Sequence, residues 1–128
     1  MSRILVDTSV WVDYFRGEEK AKVLDDYIDL NQICINDLIL SELLPSLIMK
    51  EEFQLVEILE TINRLSLTID WRQIREFQLV NLKNGVNKVG IPDLIIYQNA
   101  ISNNAELLSR DKHFNLMAEH INGSVIII

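Results

Sequence analysis

Short apolar runs alternate along the chain with longer stretches in which apolar residues recur at helical spacing. Ile4-Leu5-Val6 is a partly β-branched run that ends at an acid, and it predicts a buried strand over residues 3–7. Similar runs predict strands at residues 33–35, 65–69, 106–109 and 125–128. Strands that are separated by helices predict an α/β fold whose sheet is parallel or mostly parallel, with helices on both faces.

The stretches between the strands predict helices at about residues 10–15, 19–30, 38–44, 51–63, 71–82, 91–101 and 112–119. Ser9 suits the N-cap of the first helix, Gly17 its C-terminal end, and Asn36 or Asp37 the cap of the third. Pro45 predicts a kink or break in the third helix, because proline removes a backbone donor and clashes one turn back. That helix is apolar nearly all round, which places Glu42 in a buried neighbourhood.

Composition narrows the class of protein. A chain of 128 residues fits one domain, predicted to span residues 1–128, and buries roughly two thirds of its unfolded surface. The single Cys34 excludes an intramolecular disulfide and suits a reducing cytoplasm. No signal-peptide pattern opens the chain and no apolar run reaches membrane-span length, so we expect a cytoplasmic protein without membrane contact. A net charge of −7 predicts weak unaided affinity for nucleic acid.

Four acids occupy positions that an α/β fold brings to one edge of its sheet. Asp7 and Asp111 follow predicted strands, Glu42 lies on the apolar helix, and Asp93 lies in the first turn of a helix. Four carboxylates packed together repel one another unless a cation neutralises them. Mg²⁺ or Mn²⁺ suits such oxygen ligands, whereas the two histidines are not at a helical zinc spacing.

A divalent ion held by carboxylates performs phosphoryl chemistry, because it lowers the pKa of a bound water and screens the charge of the phosphate. Hydrolysis of a phosphodiester is therefore the reaction that these residues favour. Each acid also has a simpler interpretation as a helix cap or a solvated side chain; Asp93 in particular stabilises a helix by about 0.3–1 kcal/mol. Basic residues near the proposed cleft either hold phosphates or are solvated, and they form no dense patch: Arg16, Lys83, Lys88, Arg110 and Lys112.

Four ordered motifs carry a resemblance to a known family. They are residues 7–17 (DTSVWVDYFRG), 41–43 (SEL), 92–96 (PDLII) and 109–114 (SRDKHF). Together they resemble the motifs of PIN-domain ribonucleases, and are most similar to the VapC toxins of toxin–antitoxin modules. The resemblance spans almost the whole chain, and its opening motif is the most specific.

The resemblance implies a three-layer α/β/α sandwich with a mostly parallel central sheet and a Mg²⁺- or Mn²⁺-dependent endoribonuclease inhibited by a VapB-like antitoxin. Carried over by position, the metal-binding and catalytic acids are Asp7, Glu42, Asp93 and Asp111. The supporting polar residues are Thr8, Ser9 and Ser109, and the candidate RNA-phosphate contacts are Arg16, Arg110 and Lys112. Two positions depart from the family pattern: Pro45 interrupts the Glu42 helix, and Ser109 stands where threonine is common.

Two alternatives remain open from the residues. An aspartate-nucleophile phosphatase would use Asp7 itself, although Ser9 occupies the place where such enzymes usually carry a second Asp. A binding module that keeps the fold without catalysis would act only through protein contacts.

Apolar helix faces at residues 21–28 and 53–62 favour docking of an antitoxin or of a second copy, which predicts a homodimer.

Overall fold

The computed structural model describes residues 2–128 and contains a five-stranded, all-parallel sheet. Its strands are β1 (Arg3–Val6), β2 (Ile33–Ile35), β3 (Asn63–Arg64), β4 (Ala105–Ser109) and β5 (Val125–Ile127). Their order across the sheet is β3-β2-β1-β4-β5, with Leu5 opposite both Cys34 and Leu107. The first strand is therefore central, as its buried Ile4, Leu5 and Val6 require.

Seven α-helices flank the sheet and confirm the predicted α/β sandwich. They are α1 (Thr8–Phe15), α2 (Val23–Asp29), α3 (Asp37–Met49), α4 (Phe53–Thr61), α5 (Trp71–Lys83), α6 (Ile91–Ser102) and α7 (Lys112–Ala118). The predicted helix over residues 19–30 is instead a 3₁₀ turn, Glu19–Lys22, followed by α2. Gly17 adopts φ +74° after α1, which is the left-handed conformation that glycine adopts without strain. None of these helices in residues 2–128 has the length and apolarity to cross a membrane.

The third strand differs from its prediction. The sheet pairing covers Asn63 and Arg64, and it ends where the Leu65 amide donates to the Ile35 carbonyl at 2.8 Å. Beyond it, the Ser66 carbonyl accepts a hydrogen bond from Asn99, which holds the chain against α6 rather than along the sheet. The apolar residues after position 64 therefore pack on the core without forming a strand, because an edge strand has only one neighbour to pair with.

The third helix also departs from expectation, because it continues through Pro45 instead of breaking there. Pro45 and Ser41, whose carbonyl would have accepted the missing hydrogen bond, are both exposed, so water can satisfy that carbonyl. The side chain of Asn36 caps this helix by accepting from the Ile39 amide at 2.9 Å. The alternative cap, Asp37, is instead paired with Arg64 at 3.3 Å.

A buried amide network joins the two helices that carry Glu42 and Asp93. Asn36, which is 0% exposed, donates to the side-chain oxygen of Asn99 at 2.9 Å. Asn99 lies in α6 and in turn donates to the Ser66 carbonyl at 2.8 Å. Neutral amides with these partners are stable in a core, so the network fixes the start of α3 against the middle of α6.

Candidate active site

Asp7 lies at the carboxyl end of the central strand, where the chain turns into α1. Its amide donates to the Leu108 carbonyl at 2.9 Å, and its backbone carbonyl accepts from the first turn of the helix. The N-cap position is therefore held by Asp7, not by Ser9 as predicted, although no side chain caps this helix. Ser9 lies inside the first turn and donates its hydroxyl to Asp7 Oδ2 at 3.1 Å.

The carboxylate of Asp7 is 7% exposed and is held from two sides. The hydroxyl of Ser109, at the end of β4, donates to the same Oδ2 at 2.9 Å. Burial raises the pKa of Asp7, while the hydrogen bonds from Ser109, Ser9 and the Thr8 amide lower it in part. The two serines thus orient a carboxylate that the site holds out of water.

Asp93 lies in the first turn of α6, directly after Pro92 and three residues after the N-cap Gly90. Burial is the largest cause that raises its pKa, and together with the charges of Asp7, Asp111 and Glu42 it brings the pKa to about 6. The Gly90 amide opposes this effect by a hydrogen bond to the carboxylate. Asp93 is therefore the position where the repulsion among the four acids is concentrated.

Glu42 is exposed on α3, so the prediction of a buried neighbourhood is wrong. Its Oε1 accepts a hydrogen bond from the Thr8 hydroxyl at 2.8 Å. The helix is rich in apolar residues, yet Ile48 and Met49 on it are exposed too, because packing covers only part of its surface. Glu42 therefore lies at the solvent-exposed margin of the site, where it is hydrogen-bonded to Thr8 of α1.

Asp111 caps α7, and its Oδ1 accepts from the His113 amide at 2.9 Å. The same oxygen lies 2.6 Å from His113 Nδ1, so this histidine is engaged with the acid cluster rather than with the surface alone. The Asp111 amide donates to the Ser109 hydroxyl at 2.9 Å, which connects this acid to the group that holds Asp7.

The four predicted acids act on one another electrostatically at the carboxyl edge of the sheet. Within residues 2–128, no group of three or more histidine, cysteine or acidic side chains is arranged closely enough to hold a metal ion. The donor set is nevertheless suited to a hard divalent cation, because its members are carboxylates that repel one another and neighbouring hydroxyls. The residues therefore fit such an ion in chemistry and charge.

The candidate phosphate contacts lie in different settings. All three side chains are exposed, but Arg110 is also paired with the buried Asp13. Arg16 borders a groove of about 290 Å³ that begins at Thr8 and Glu42 and runs between α1, α3 and α4. Its floor is apolar and it also carries Lys50.

Sequence reasoning missed two of these residues. Lys50 lies eight residues after Glu42, a spacing that returns to the same side of a helix and could have revealed it. Asp13 is 7% exposed and paired with Arg110, and nothing in the pattern of its helix indicates this burial. Only the tertiary contact between α1 and the loop after β4 identifies it.

Comparison with known proteins gives a family and a fold. The sequence profile described as PIN domain matches residues 4–120. No curated protein matches the chain.

Several solved structures share the fold. The DNA-bound VapBC of Salmonella typhimurium superposes with a TM-score of 0.74 at 20% identity, covering 99% of this chain and 98% of that one. VapBC2 of Rickettsia felis, bound to a promoter DNA fragment, gives 0.73 at 16% identity over 98% of each chain. A toxin–antitoxin complex of Klebsiella pneumoniae gives 0.65 at 25% identity, covering 96% of this chain and 95% of that one.

Proposed function

Because the chain belongs to the PIN domain family, we propose that it is a metal-dependent endoribonuclease and the toxin of a toxin–antitoxin pair. The resemblance predicted from the sequence motifs is thereby confirmed at the level of the family. The observation that carries the proposal is the set of mutually repelling acids Asp7, Glu42, Asp93 and Asp111 at the carboxyl edge of the sheet. Such a set of negative charges attracts a divalent cation, and the bound cation in turn attracts a phosphate.

The four acids would hold the ion; Asp7 is buried, Asp93 and Asp111 are half-buried, and Glu42 is exposed. When bound, Mg²⁺ or Mn²⁺ supplies the positive charge that offsets the phosphate and lowers the pKa of water. Ser109 and Ser9 keep Asp7 in one orientation by donating to its Oδ2. Thr8 does the same for Glu42.

Asp111 and His113 form a side-chain pair at the edge of the acid cluster. The Nδ1 atom of His113 lies 2.6 Å from Asp111 Oδ1, which orients the imidazole and leaves Nε2 as its outer nitrogen. We therefore assign His113 the role of orienting Asp111 within the acid cluster.

The partners follow from the family and from the charge of the chain. Three structures of the same fold are of VapBC or toxin–antitoxin complexes, which supports an antitoxin partner for this chain. A net charge of −7 makes general affinity for RNA weak, so binding depends on the metal ion and on exposed cations such as Arg16 and Lys112. We further propose a homodimer that acts in the cytoplasm.

Cleavage of RNA by the purified protein tests the proposal. We expect cleavage with Mg²⁺ or Mn²⁺ and none with EDTA, and we expect Asp7→Asn or Asp93→Asn to lower the rate at least about 100-fold. Asp37→Asn is the matched control, because Asp37 is an exposed acid that pairs with Arg64 outside the cluster. Urea unfolding of each variant establishes that it is folded.

Three results would contradict the proposal. Unchanged cleavage in both Asp7→Asn and Asp93→Asn would show that the nuclease site lies elsewhere. Absence of cleavage by the parent, together with no Mn²⁺ binding in calorimetry at millimolar metal, would favour a fold that serves only as a binding module. A beryllium fluoride adduct on Asp7 would instead favour the aspartate-nucleophile phosphatase.

A further inference from the structure

A buried carboxylate outside the acid cluster is paired with the loop that carries Asp111. Asp13 lies near the end of α1, and its Oδ2 is 2.5 Å from Nη1 of Arg110. The Asp13 side chain is 10% exposed and that of Arg110 is 51% exposed. A carboxylate at this depth is strongly disfavoured unless it is paired, so Asp13 depends on the guanidinium.

Arg110 is the middle residue of the segment 109–111, and both of its neighbours contact the acid cluster. The Ser109 hydroxyl donates to Asp7 at 2.9 Å and accepts from the Asp111 amide at 2.9 Å. Asp111 in turn accepts from the His113 amide and so begins α7. An interaction that fixes Arg110 therefore also fixes the Ser109 hydroxyl, which orients Asp7, and the neighbouring acid Asp111.

We propose that Asp13 and Arg110 are positioning residues whose ion pair holds segment 109–111 against α1 and thereby sets the geometry of the acid cluster. The proposal rests on the proposed nuclease function and gives Arg110 a different role from the predicted phosphate contact. The Arg110 guanidinium is held by a buried carboxylate although its side chain is half exposed, whereas Lys112 is an exposed cation of the same loop. Groups that orient metal-binding carboxylates in this way commonly change metal affinity or activity by about 10- to 100-fold when they are removed.

A double-mutant cycle tests the pair. The proteins are the parent, Asp13→Asn, Arg110→Gln, the double variant and Arg110→Lys, with Asp37→Asn as the control from an exposed ion pair. Three quantities are measured: kcat and KM for cleavage of an RNA oligonucleotide with Mn²⁺, the Kd of Mn²⁺ without RNA, and the urea midpoint.

We expect each single variant to lower kcat and weaken Mn²⁺ binding about tenfold while KM stays within about twofold. The double variant should be no worse than either single one, because both substitutions remove the same interaction. Arg110→Lys keeps the charge and should recover most of the loss. Asp37→Asn should match the parent in kcat, KM and Mn²⁺ affinity.

Three outcomes would overturn the proposal. A raised KM and a weaker salt dependence in Arg110→Gln, with Asp13→Asn unchanged, would make Arg110 an RNA contact. Additive losses would show that the two residues act separately. Lower urea midpoints with parental kcat and Mn²⁺ affinity would make the pair purely structural.

Failure of the proposed nuclease function gives a different result. If the parent cleaves no RNA but binds Mn²⁺, the nuclease function fails, and the Mn²⁺ affinities of the cycle still decide the role of the ion pair. A parent that binds no Mn²⁺ at millimolar concentration would overturn both.

Discussion

Two pairs of polar side chains lie on the same two helices; one pair is neutral and the other is charged. Asn36 begins α3 and Asn99 lies in the middle of α6; both are buried and hydrogen-bonded to each other. Glu42 and Asp93 lie on the same helices, but they are carboxylates whose like charges repel each other. The first pair joins the helices, and the second makes their approach unfavourable.

The difference shows how one scaffold serves stability and chemistry at once. Neutral amides with complementary donors and acceptors satisfy each other, so the amide network stabilises the fold without any ligand. Carboxylates that repel one another destabilise the fold until a cation or a proton arrives, which is typical of functional sites. The amides therefore supply the rigidity against which the acids are held.

Asn36→Ala should have the largest effect on stability. It removes the cap of α3 and leaves the Asn99 oxygen and the Ile39 amide without their buried partner, so the free energy of unfolding should fall by about 3 kcal/mol. Urea unfolding at neutral pH measures the change. Asn115→Ala, at an exposed position of α7, is the control and should change stability by less than about 0.5 kcal/mol. A loss below about 1 kcal/mol in Asn36→Ala would show that the amide network is not what joins the helices.

Asp93→Asn should have the opposite sign. In EDTA it should raise the free energy of unfolding by about 1.5 kcal/mol, because it removes a partly buried charge that the other acids repel; part of the gain is offset by the lost helix-dipole interaction. Saturating Mn²⁺ should reverse the order, since the parent retains the full set of ligands. If the variant is less stable than the parent in EDTA, the acids do not repel one another as the raised pKa indicates.

The pH dependence of stability should follow the same residue. Asp93 has a pKa of about 6 in the folded protein against 3.8 for an ordinary aspartate, so between these values the folded protein holds a proton that the unfolded chain has released. Stability without metal is therefore highest at the acidic end and falls as pH rises through 6. Moving from pH 7 to pH 5 in EDTA should add about 1 kcal/mol. The urea midpoint should respond less in Asp93→Asn; an equal response in both proteins would assign the effect to other groups.

The alternation of strands and helices along the chain could be predicted because each strand depends on local sequence information. Ile4-Leu5-Val6 is apolar on both faces, as a central parallel strand must be, and Asp7 ends it for the same reason. The third strand was placed too late because an edge strand needs little burial of its own. Its end is decided by the hydrogen bond from Asn99 to the Ser66 carbonyl, which joins residues 33 positions apart.

The positions of the candidate acids at strand ends and helix starts could be read from the sequence. Their burial and their contacts could not. Periodicity shows which residues of α3 are apolar, and not which of them are covered, so Glu42 was expected to be buried and is exposed. Arg110 looked like an RNA contact because it lies beside Asp111 in sequence. Its partner, Asp13, is 97 residues away and becomes visible only when α1 packs against β4.

The smallest effect is expected at the exposed margin of the acid cluster. The Thr8 hydroxyl donates to Glu42 at 2.8 Å, and solvent can replace this bond because Glu42 is exposed. Thr8→Val should therefore lower kcat by only about threefold, consistent with a net hydrogen-bond contribution below about 1 kcal/mol. Thr8→Ser, which keeps the hydroxyl, should match the parent. A loss as large as that in Asp93→Asn would mean that Thr8 acts on the reaction directly, and the exposed margin would then be as important as the buried acids.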